Sequence, residues 1–251
     1  MVSSRKNFMI YHVVNTYQPK SKEECARNDF AKSTWSLPLI CIEDKHLKRS
    51  SLDIGDTRFV PFVKDLFDIA IAKKNVEDII IFTNTDICLV SDIQAYVNDD
   101  QLKNDCYYAA RNEFTADLDH SLNQEEVKQL LMHTVLGGGD LFVFRVKWWV
   151  TNRDKYPDML LGCQWWDTIL QDLMDQSCDE KPILRNIIYH RSHHSFWYQG
   201  NNKTENKGQI HNFNIANKLG YTTRNNILDV HYKTSYIADR VTRMVKKQII
   251  L

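Results

Sequence analysis

The sequence predicts an α/β protein whose mixed, mostly parallel sheet is flanked by helices. Two observations lead to this fold class. Short apolar segments alternate along the chain with segments in which apolar residues recur at helical spacing. Polar residues then follow directly after several of the apolar segments, as they do where parallel strands end at a ligand-binding edge.

Length, charge and cysteine content fit a globular protein with reduced thiols. The chain has 251 residues, of which 43% are hydrophobic and 25% are charged, values typical of a folded domain. Lys and Arg together number 32, as do Asp and Glu, so the net charge does not indicate a polyanionic partner. Separated cysteines without a CxxC pair, and the lack of a membrane-length apolar run or a signal peptide, indicate a cytoplasmic protein.

In the first half of the chain, strands and helices are assigned from apolar spacing. Residues 63–75 carry apolar side chains at helical spacing and precede the most apolar segment. Ser91 is a favourable N-cap for a second helix over 91–97. We predict strands over 8–14, 37–43, 57–62, 78–83 and 106–110.

The second half continues the alternation. Glycines lead into a predicted strand over 137–146, and a last strand is predicted over 182–190. Helices are predicted over 123–133 and 165–176. Residues 231–251 are amphipathic and basic, which indicates a C-terminal helix that either packs on the core or docks on a membrane, a partner subunit or a nucleic acid.

A polar interruption marks the most apolar part of the chain. The run "IIIFTNTDICLV" (79–90) places Asn84, Thr85 and Asp86 between apolar residues. Asp86 has two interpretations: it caps a turn or pairs with a basic residue, or it binds a divalent cation together with a histidine. The late histidines that are candidates for the second interpretation are His190, His193, His194 and His211.

The order of these motifs resembles that of the GT-A glycosyltransferases. The stretch "TNTDI" is similar to the DxD element of that family, with Asn84 in the place of the first acid. A polar turn after the first strand, a helix before the motif strand and a Gly-rich strand after it stand in the same order, and the resemblance covers residues 8–215. It implies one GT-A-like, Rossmann-like domain over 1–251, with a nucleotide-binding half over 1–110 and an acceptor-binding half over 111–230.

The resemblance also implies a donor and metal site. Asp86 would bind Mn²⁺ or Mg²⁺, and His190 or His194 would complete the coordination. The residues implied in nucleotide or donor binding are Asn15, Thr16, Tyr17, Lys64, Asp65, Asn84, Thr85, Asp86, Gly138 and Gly139.

Two acids are implied in catalysis. Asp140 follows the glycines and would hydrogen-bond sugar hydroxyls, although a tight turn also explains the glycines. Asp167 stands at a helix start, where it is either a cap or an acid facing the acceptor. In an inverting enzyme Asp167 would deprotonate the acceptor hydroxyl, and the sequence leaves inversion or retention open. Tryptophans also stack on sugars, and we expect one or two of Trp148, Trp149, Trp165, Trp166 and Trp197 at the site.

The predicted function is metal-assisted transfer of a sugar from a nucleotide-sugar donor, with UDP as the expected nucleotide, to an acceptor hydroxyl. The acceptor is a glycan, a protein or a hydroxymethylated DNA base, and a homo-oligomer is left open. A nucleotidyltransferase is an alternative, disfavoured because the first turn "VVNTYQPKS" has no glycine. A non-catalytic nucleotide-binding protein is another, which Asn84 in place of an acid keeps open.

Overall fold

The structure of the protein is a computed structural model. It describes residues 8–19, 21–56, 59–97, 103–114, 118, 120–129, 133–134, 139–192 and 207–221. The strands within these residues are β1 (Ile10–Thr16), β2 (Leu39–Glu43), β3 (Ile79–Thr83), β4 (Ile87–Leu89), β5 (Cys106–Ala109), β6 (Asn112–Phe114), β7 (His133–Thr134), β8 (Leu141–Arg145), β9 (Ile183–Leu184) and β10 (Ile188–Arg191).

The main sheet has six strands in the order β2-β1-β3-β8-β5-β9. The neighbouring pairs β1–β2, β1–β3 and β5–β9 are parallel, and β8 is antiparallel to both of its neighbours. Because β3 and β8 are buried along their whole length, they read as continuous apolar runs rather than as an alternation. The predicted fold class, a mixed and mostly parallel sheet flanked by helices, is confirmed.

A second sheet of four strands has the order β4-β10-β6-β7. Strand β10 is antiparallel to β4 and parallel to β6. Strand β4 begins only four residues after β3 ends, so the chain passes from the first sheet to the second through the segment 84–86. The polar interruption in the sequence is therefore the crossing between two sheets.

The helices flank the sheets and bury their apolar faces. Phe67 lies at the centre of the larger core, with its ring 4.9 to 5.2 Å from the rings of Phe82, Phe144 and Trp149. No helix within the described ranges is both long and apolar enough to span a membrane. The helices are α1 (Lys22–Ser33), α2 (Val63–Ile71), α3 (Ile93–Tyr96), α4 (Gln124–Gln129), α5 (Val146–Asn152), α6 (Trp166–Gln176) and α7 (Lys207–Lys218).

Some predicted elements were wrong or too long. The strand predicted over 57–62 is not found in its described part, residues 59–62, where Pro61 and Phe62 make only isolated bridges, consistent with a proline that has no N–H to donate to a ladder. The strand predicted over 182–190 is divided into β9 and β10 by Asn186, which has a φ of 56°. Asp92 rather than Ser91 is the N-cap of α3, and His133, the last residue of the helix predicted over 123–133, lies in β7.

Three helices were not predicted. Helix α1 is rich in charged residues, so its apolar periodicity is weak, although Ser21 caps it by accepting from the Glu24 N–H. Helix α5 follows β8 without a break, and α7 begins at Lys207, within the polar sequence "QGNNKTENKGQ" (199–209) that carries no apolar periodicity. The predicted C-terminal helix over 231–251 lies outside the described residues.

Candidate functional site

The polar ends of β1 and β3 lie side by side. The two strands are parallel, and Val14 pairs with Thr83 at the carboxyl end of β3. The polar end of β1, at Asn15 and Thr16, and the segment that begins at Asn84 therefore lie at the same edge of the sheet. This edge is where open α/β sheets bind their ligands.

The second sheet brings a late histidine and an acid to this edge. In β10, His190 pairs with Ile87 of β4, the residue that follows Asp86. On the other side of β10, His190 pairs with Glu113 of β6. The register of three short strands thus places His190 between two carboxylates.

The Asp86 and His190 side chains are in contact. His190 Nε2 lies 3.2 Å from Asp86 Oδ2, and His190 Nδ1 lies 3.8 Å from Glu113 Oε1. Burial opposes protonation of His190, but the two carboxylates outweigh it and hold the pKa of the imidazole above its ordinary value. The neighbouring His190 in turn lowers the pKa of Glu113 to about 2, although partial burial acts against this.

An arginine links these residues to Asp140. Arg111 donates to Glu113 Oε1 at 3.0 Å and to Asp140 Oδ2 at 2.7 Å. Asn84, the residue in the place of the first acid, donates to Asp140 Oδ1 at 3.2 Å. Burial raises the pKa of Asp140, and the charge of Arg111 opposes that shift. Asp140 therefore lies in the same network as Asp86 and His190.

A second arginine approaches Asp86 from α1. Arg27 Nε is 3.7 Å from Asp86 Oδ2, and the arginine side chain is only 12% exposed. Helix α1 was not predicted, and nothing in its sequence singled out this residue. Arg111 and Glu113 were also missed. Their only signal is a spacing of two, with Arg111 directly before β6 and Glu113 within it, which is the spacing of residues that share one face of an extended chain.

Asp167 lies in the first turn of α6, as predicted. Its Oδ1 accepts a hydrogen bond from the Thr168 N–H at 2.8 Å. Burial raises the pKa of this carboxyl to about 6, and the nearby charge of Asp140 adds to the rise. The sequence left two interpretations, a helix cap or a functional acid, and this geometry is compatible with both.

The residue before α6 is strained. Trp165 has a φ of 79°, unusual for a residue other than glycine. Its buried indole N–H has no hydrogen-bond partner among the described residues. By contrast Trp148, Trp149 and Trp166 are core residues, and Trp197 lies outside the described residues.

The turn after β1 contacts the Asp86 segment. The Tyr17 hydroxyl donates to Glu24 Oε1 at 3.0 Å and also interacts with the side chains of Thr85 and Asn28. Asn15 donates to the Ile42 carbonyl at 3.0 Å, which ties the end of β1 to β2. Thr16, the last residue of β1, is half-buried and pairs with Glu43 in the β1–β2 register.

Lys64 and Asp65 lie in a separate cleft. Asp65 forms an ion pair with Arg49 at 2.6 Å, and Lys64 forms one with Asp158 at 3.5 Å. The cleft beside α2 has a volume of about 610 Å³, and the residues that line it do not include the Asp86 network. The ion-pair partners of Lys64 and Asp65 are thus Asp158 and Arg49, which lie outside the Asp86 network.

Gly139 is required by close packing. A Cβ atom there would lie 2.6 Å from Gln171 Nε2 and 2.7 Å from the Phe142 ring. The glycine thus allows the segment before β8 to approach α6 closely. Gly138 and His194, also predicted at the site, lie outside the described residues.

Asp86 and His190 could supply two ligands of a metal ion whose coordination a bound molecule would complete. A carboxylate oxygen and an imidazole nitrogen face each other at 3.2 Å, a combination that suits Mn²⁺ better than Mg²⁺. In the described part of the chain, no group of three or more His, Cys, Asp or Glu side chains is arranged to hold a metal ion by itself. Further ligands for a metal here would have to come from a bound molecule such as a diphosphate.

Comparisons with known proteins give a likeness of fold only. No protein-family model matches the chain, and no curated protein matches it in sequence. Among solved structures, a similar one is the crystal structure of S. aureus TarS 1-349 in complex with UDP-GlcNAc, at 11% identity and a TM-score of 0.45. The match covers 75% of this chain and 60% of that chain. At this identity the likeness says nothing about the residues of the site.

Proposed function

We propose that this protein is a glycosyltransferase that moves a sugar from a nucleotide-sugar donor to an acceptor hydroxyl. The observation that carries the proposal is the contact between Asp86 and His190, 3.2 Å apart at the carboxyl end of β3. This is the edge at which sheets of this kind bind nucleotides. The segment "TNTDI" supplies the carboxylate there, as the DxD element does in the GT-A glycosyltransferases that it resembles.

In this proposal, Asp86 and His190 are the residues that would hold Mn²⁺ or Mg²⁺, and the donor would be a UDP-sugar. The cation would supply positive charge that stabilises the departing diphosphate. Asn15, Thr16 and Tyr17 would bind the base and ribose, since they line the neighbouring strand end. Asn84 and Thr85 would contact the ribose or sugar beside them.

Asp167 and Asp140 have different proposed roles. A carboxyl with a pKa of about 6 is ionised at neutral pH and is a stronger base than an ordinary aspartate. Asp167 would take the proton of the acceptor hydroxyl if the reaction inverts the sugar. Asp140, which is fixed by Arg111 and Asn84, would position sugar hydroxyls. Trp165 would offer its indole to the sugar or acceptor.

The remaining predictions belong to the same proposal. The division into a nucleotide-binding half and an acceptor-binding half assigns the acceptor to residues 111–230. Lys64 and Asp65 would contact the donor only through the cleft beside α2. The proposed acceptor is a hydroxyl of a glycan, a protein or a hydroxymethylated base in DNA.

The proposal is tested by turnover of the donor. Purified protein with Mn²⁺ is incubated with a panel of UDP- and GDP-sugars, and nucleotide release is measured with and without candidate acceptors. We expect release from at least one donor, lost in Asp86→Ala and retained in Asp154→Ala. Asp154 is the matched control because its side chain is 92% exposed and pairs only with Arg153 among the described residues. Turnover that is equal in both variants would contradict the proposal.

A further inference from the structure

Arg27 occupies the site without a structural role that accounts for its burial. Its side chain is 12% exposed, and its Nε has no hydrogen-bond partner among the described residues. Asp86 Oδ2 is 3.7 Å away, which is ion-pair distance but too long for a hydrogen bond. A guanidinium that is nearly buried normally has its donors filled.

The position of Arg27 is fixed by the packing of α1. Asn28 and Ala31 are the buried residues of this helix. Just after it, Thr34 Oγ1 accepts from the Leu89 N–H at 3.0 Å, and Trp35 donates to the Ile87 carbonyl at 2.9 Å. The Leu89 N–H and the Ile87 carbonyl both belong to β4, the strand that begins directly after Asp86. Helix α1 is therefore tied to the strand that positions Asp86.

The charges around Asp86 give Arg27 a function in the liganded state. Arg27 and His190 both approach the same oxygen of Asp86, while Asn84 removes the second negative charge that a DxD sequence would place here. When Asp86 is engaged by a bound cation, the guanidinium of Arg27 loses its counter-charge. A buried cation then needs another anion, because an unpaired buried charge is costly.

We propose that Arg27 binds the diphosphate of the nucleotide-sugar donor, exchanging its contact with Asp86 for a phosphate oxygen. The inference rests on the proposed function and names a further binding residue for it. A planar guanidinium matches phosphate oxygens in geometry and stays charged at all relevant pH values. Its free Nε–H is the donor available for this contact.

In the transfer step, Arg27 stabilises the leaving group. The bond between the anomeric carbon and the donor phosphate oxygen breaks, and the electron pair stays on the nucleoside diphosphate. The bond from the acceptor oxygen to the anomeric carbon forms, and in an inverting reaction the acceptor proton passes to the Asp167 carboxylate. The charge that develops on the diphosphate lies where Arg27 is held, so its stabilisation increases as the bond breaks.

The test separates phosphate binding from nucleoside binding. In the presence of Mn²⁺, UDP affinity is measured by calorimetry and uridine affinity by ligand-observed NMR, for wild type, Arg27→Ala and Arg27→Lys. Lys32→Ala is the matched control, since Lys32 is a cation of the same helix that is 49% exposed and pairs with Asp29. Thermal unfolding of each variant checks its folding.

We expect Arg27→Ala to bind UDP about tenfold or more weakly, with uridine affinity unchanged and Lys32→Ala like wild type. Arg27→Lys keeps the positive charge but not the planar guanidinium. Its UDP affinity should therefore lie between those of wild type and Arg27→Ala. Unchanged UDP affinity in Arg27→Ala would overturn the inference alone, as would equal losses for UDP and uridine. A wild type that binds neither molecule would overturn the proposed function itself. If Arg27→Ala does not fold, Arg27→Lys and Arg27→Gln provide the same comparison.

Discussion

The imidazole of His190 contacts the carboxylate of Asp86 at 3.2 Å across 104 residues of sequence. Strand β10 makes this contact possible, because it lies between the strand after Asp86 and the strand that carries Glu113. Three short strands thus determine the geometry of the site. Substitutions around this contact should change ligand binding more than they change the fold.

Asp167→Asn should abolish turnover and increase stability at neutral pH. The folded-state pKa of about 6 lies above the ordinary value of 3.8, so ionising this carboxyl costs the folded state free energy. The asparagine still accepts from the Thr168 N–H but carries no charge. We expect the variant to be more stable than wild type by about 2 kcal/mol at pH 7.5.

The pH dependence gives the sign of this effect. Wild type loses stability as the pH rises from about 4 to 6 and then levels off, because only the folded state still binds the proton in that range. The gain from Asp167→Asn should therefore vanish near pH 4 in urea denaturation. A gain that is the same at pH 4 and pH 7.5 would show that burial does not raise this pKa.

Glu113→Gln should weaken metal binding while leaving the fold intact. Glu113 faces Nδ1 of His190, and a carboxylate in that place orients the ring and increases its basicity as a ligand. We expect Mn²⁺ affinity in the presence of UDP, measured by electron paramagnetic resonance, to fall about tenfold. Glu125→Gln is the control, since Glu125 is 69% exposed and pairs with Lys128. Equal affinities in the two variants would contradict this role.

Asn84→Asp should not improve the site, although it restores a DxD sequence. The new carboxylate would face Asp140 at the 3.2 Å now spanned by a hydrogen bond. Two carboxylates at that distance repel, which raises their pKa values and destabilises the folded state when both are ionised. We expect a loss of about 1 kcal/mol at pH 7.5 that shrinks at pH 5. Thermal unfolding at both pH values measures this loss of stability. A variant that is more stable than wild type at pH 7.5 would contradict the prediction.

Gly139→Ala should destabilise the protein through overpacking. The added methyl would lie 2.7 Å from the Phe142 ring and 2.6 Å from Gln171. Gln171 has a flexible side chain, whereas Phe142 is fully buried in the core, where close packing resists a shift of the ring. We expect a loss of about 2 kcal/mol in denaturant unfolding. The double variant Gly139→Ala/Gln171→Ala should recover only the smaller part of the lost free energy of unfolding, because the contact with Phe142 remains. Complete recovery would show that the phenylalanine ring adapts.

The sequence was sufficient to predict the fold class and the sheet edge where polar residues end two parallel strands. Buried strands carry continuous apolar runs, so the polar residues that end β1 and β3 were conspicuous. Asp86 was predicted to lie beside a late histidine, His190 or His194, from residue types and from the resemblance, and the structure places His190 in contact with it. Asp167 was predicted to open α6 because acids favour helix starts.

Contacts between distant segments could not be predicted. Arg27 lies on a helix whose charged residues obscure its apolar face, and its approach to Asp86 depends on how α1 packs on β4. Arg111 and Glu113 lie at a three-residue strand, too short for a periodic signal. Lys64 and Asp65 were assigned to the donor from the resemblance, and their ion pairs with Asp158 and Arg49 depend on tertiary packing that the sequence does not reveal.

Metal-dependent nucleotide binding tests the central claim most directly. UDP affinity is measured by calorimetric titration, with and without Mn²⁺. The proteins compared are wild type, His190→Ala, Asp86→Ala and the control Asp154→Ala. The account predicts that Mn²⁺ strengthens UDP binding in wild type and in Asp154→Ala, and that this gain is lost in Asp86→Ala and reduced in His190→Ala. UDP binding that is independent of Mn²⁺, or a gain that survives in Asp86→Ala, would contradict it and return Asp86 to the role of an ion-pair partner of Arg27.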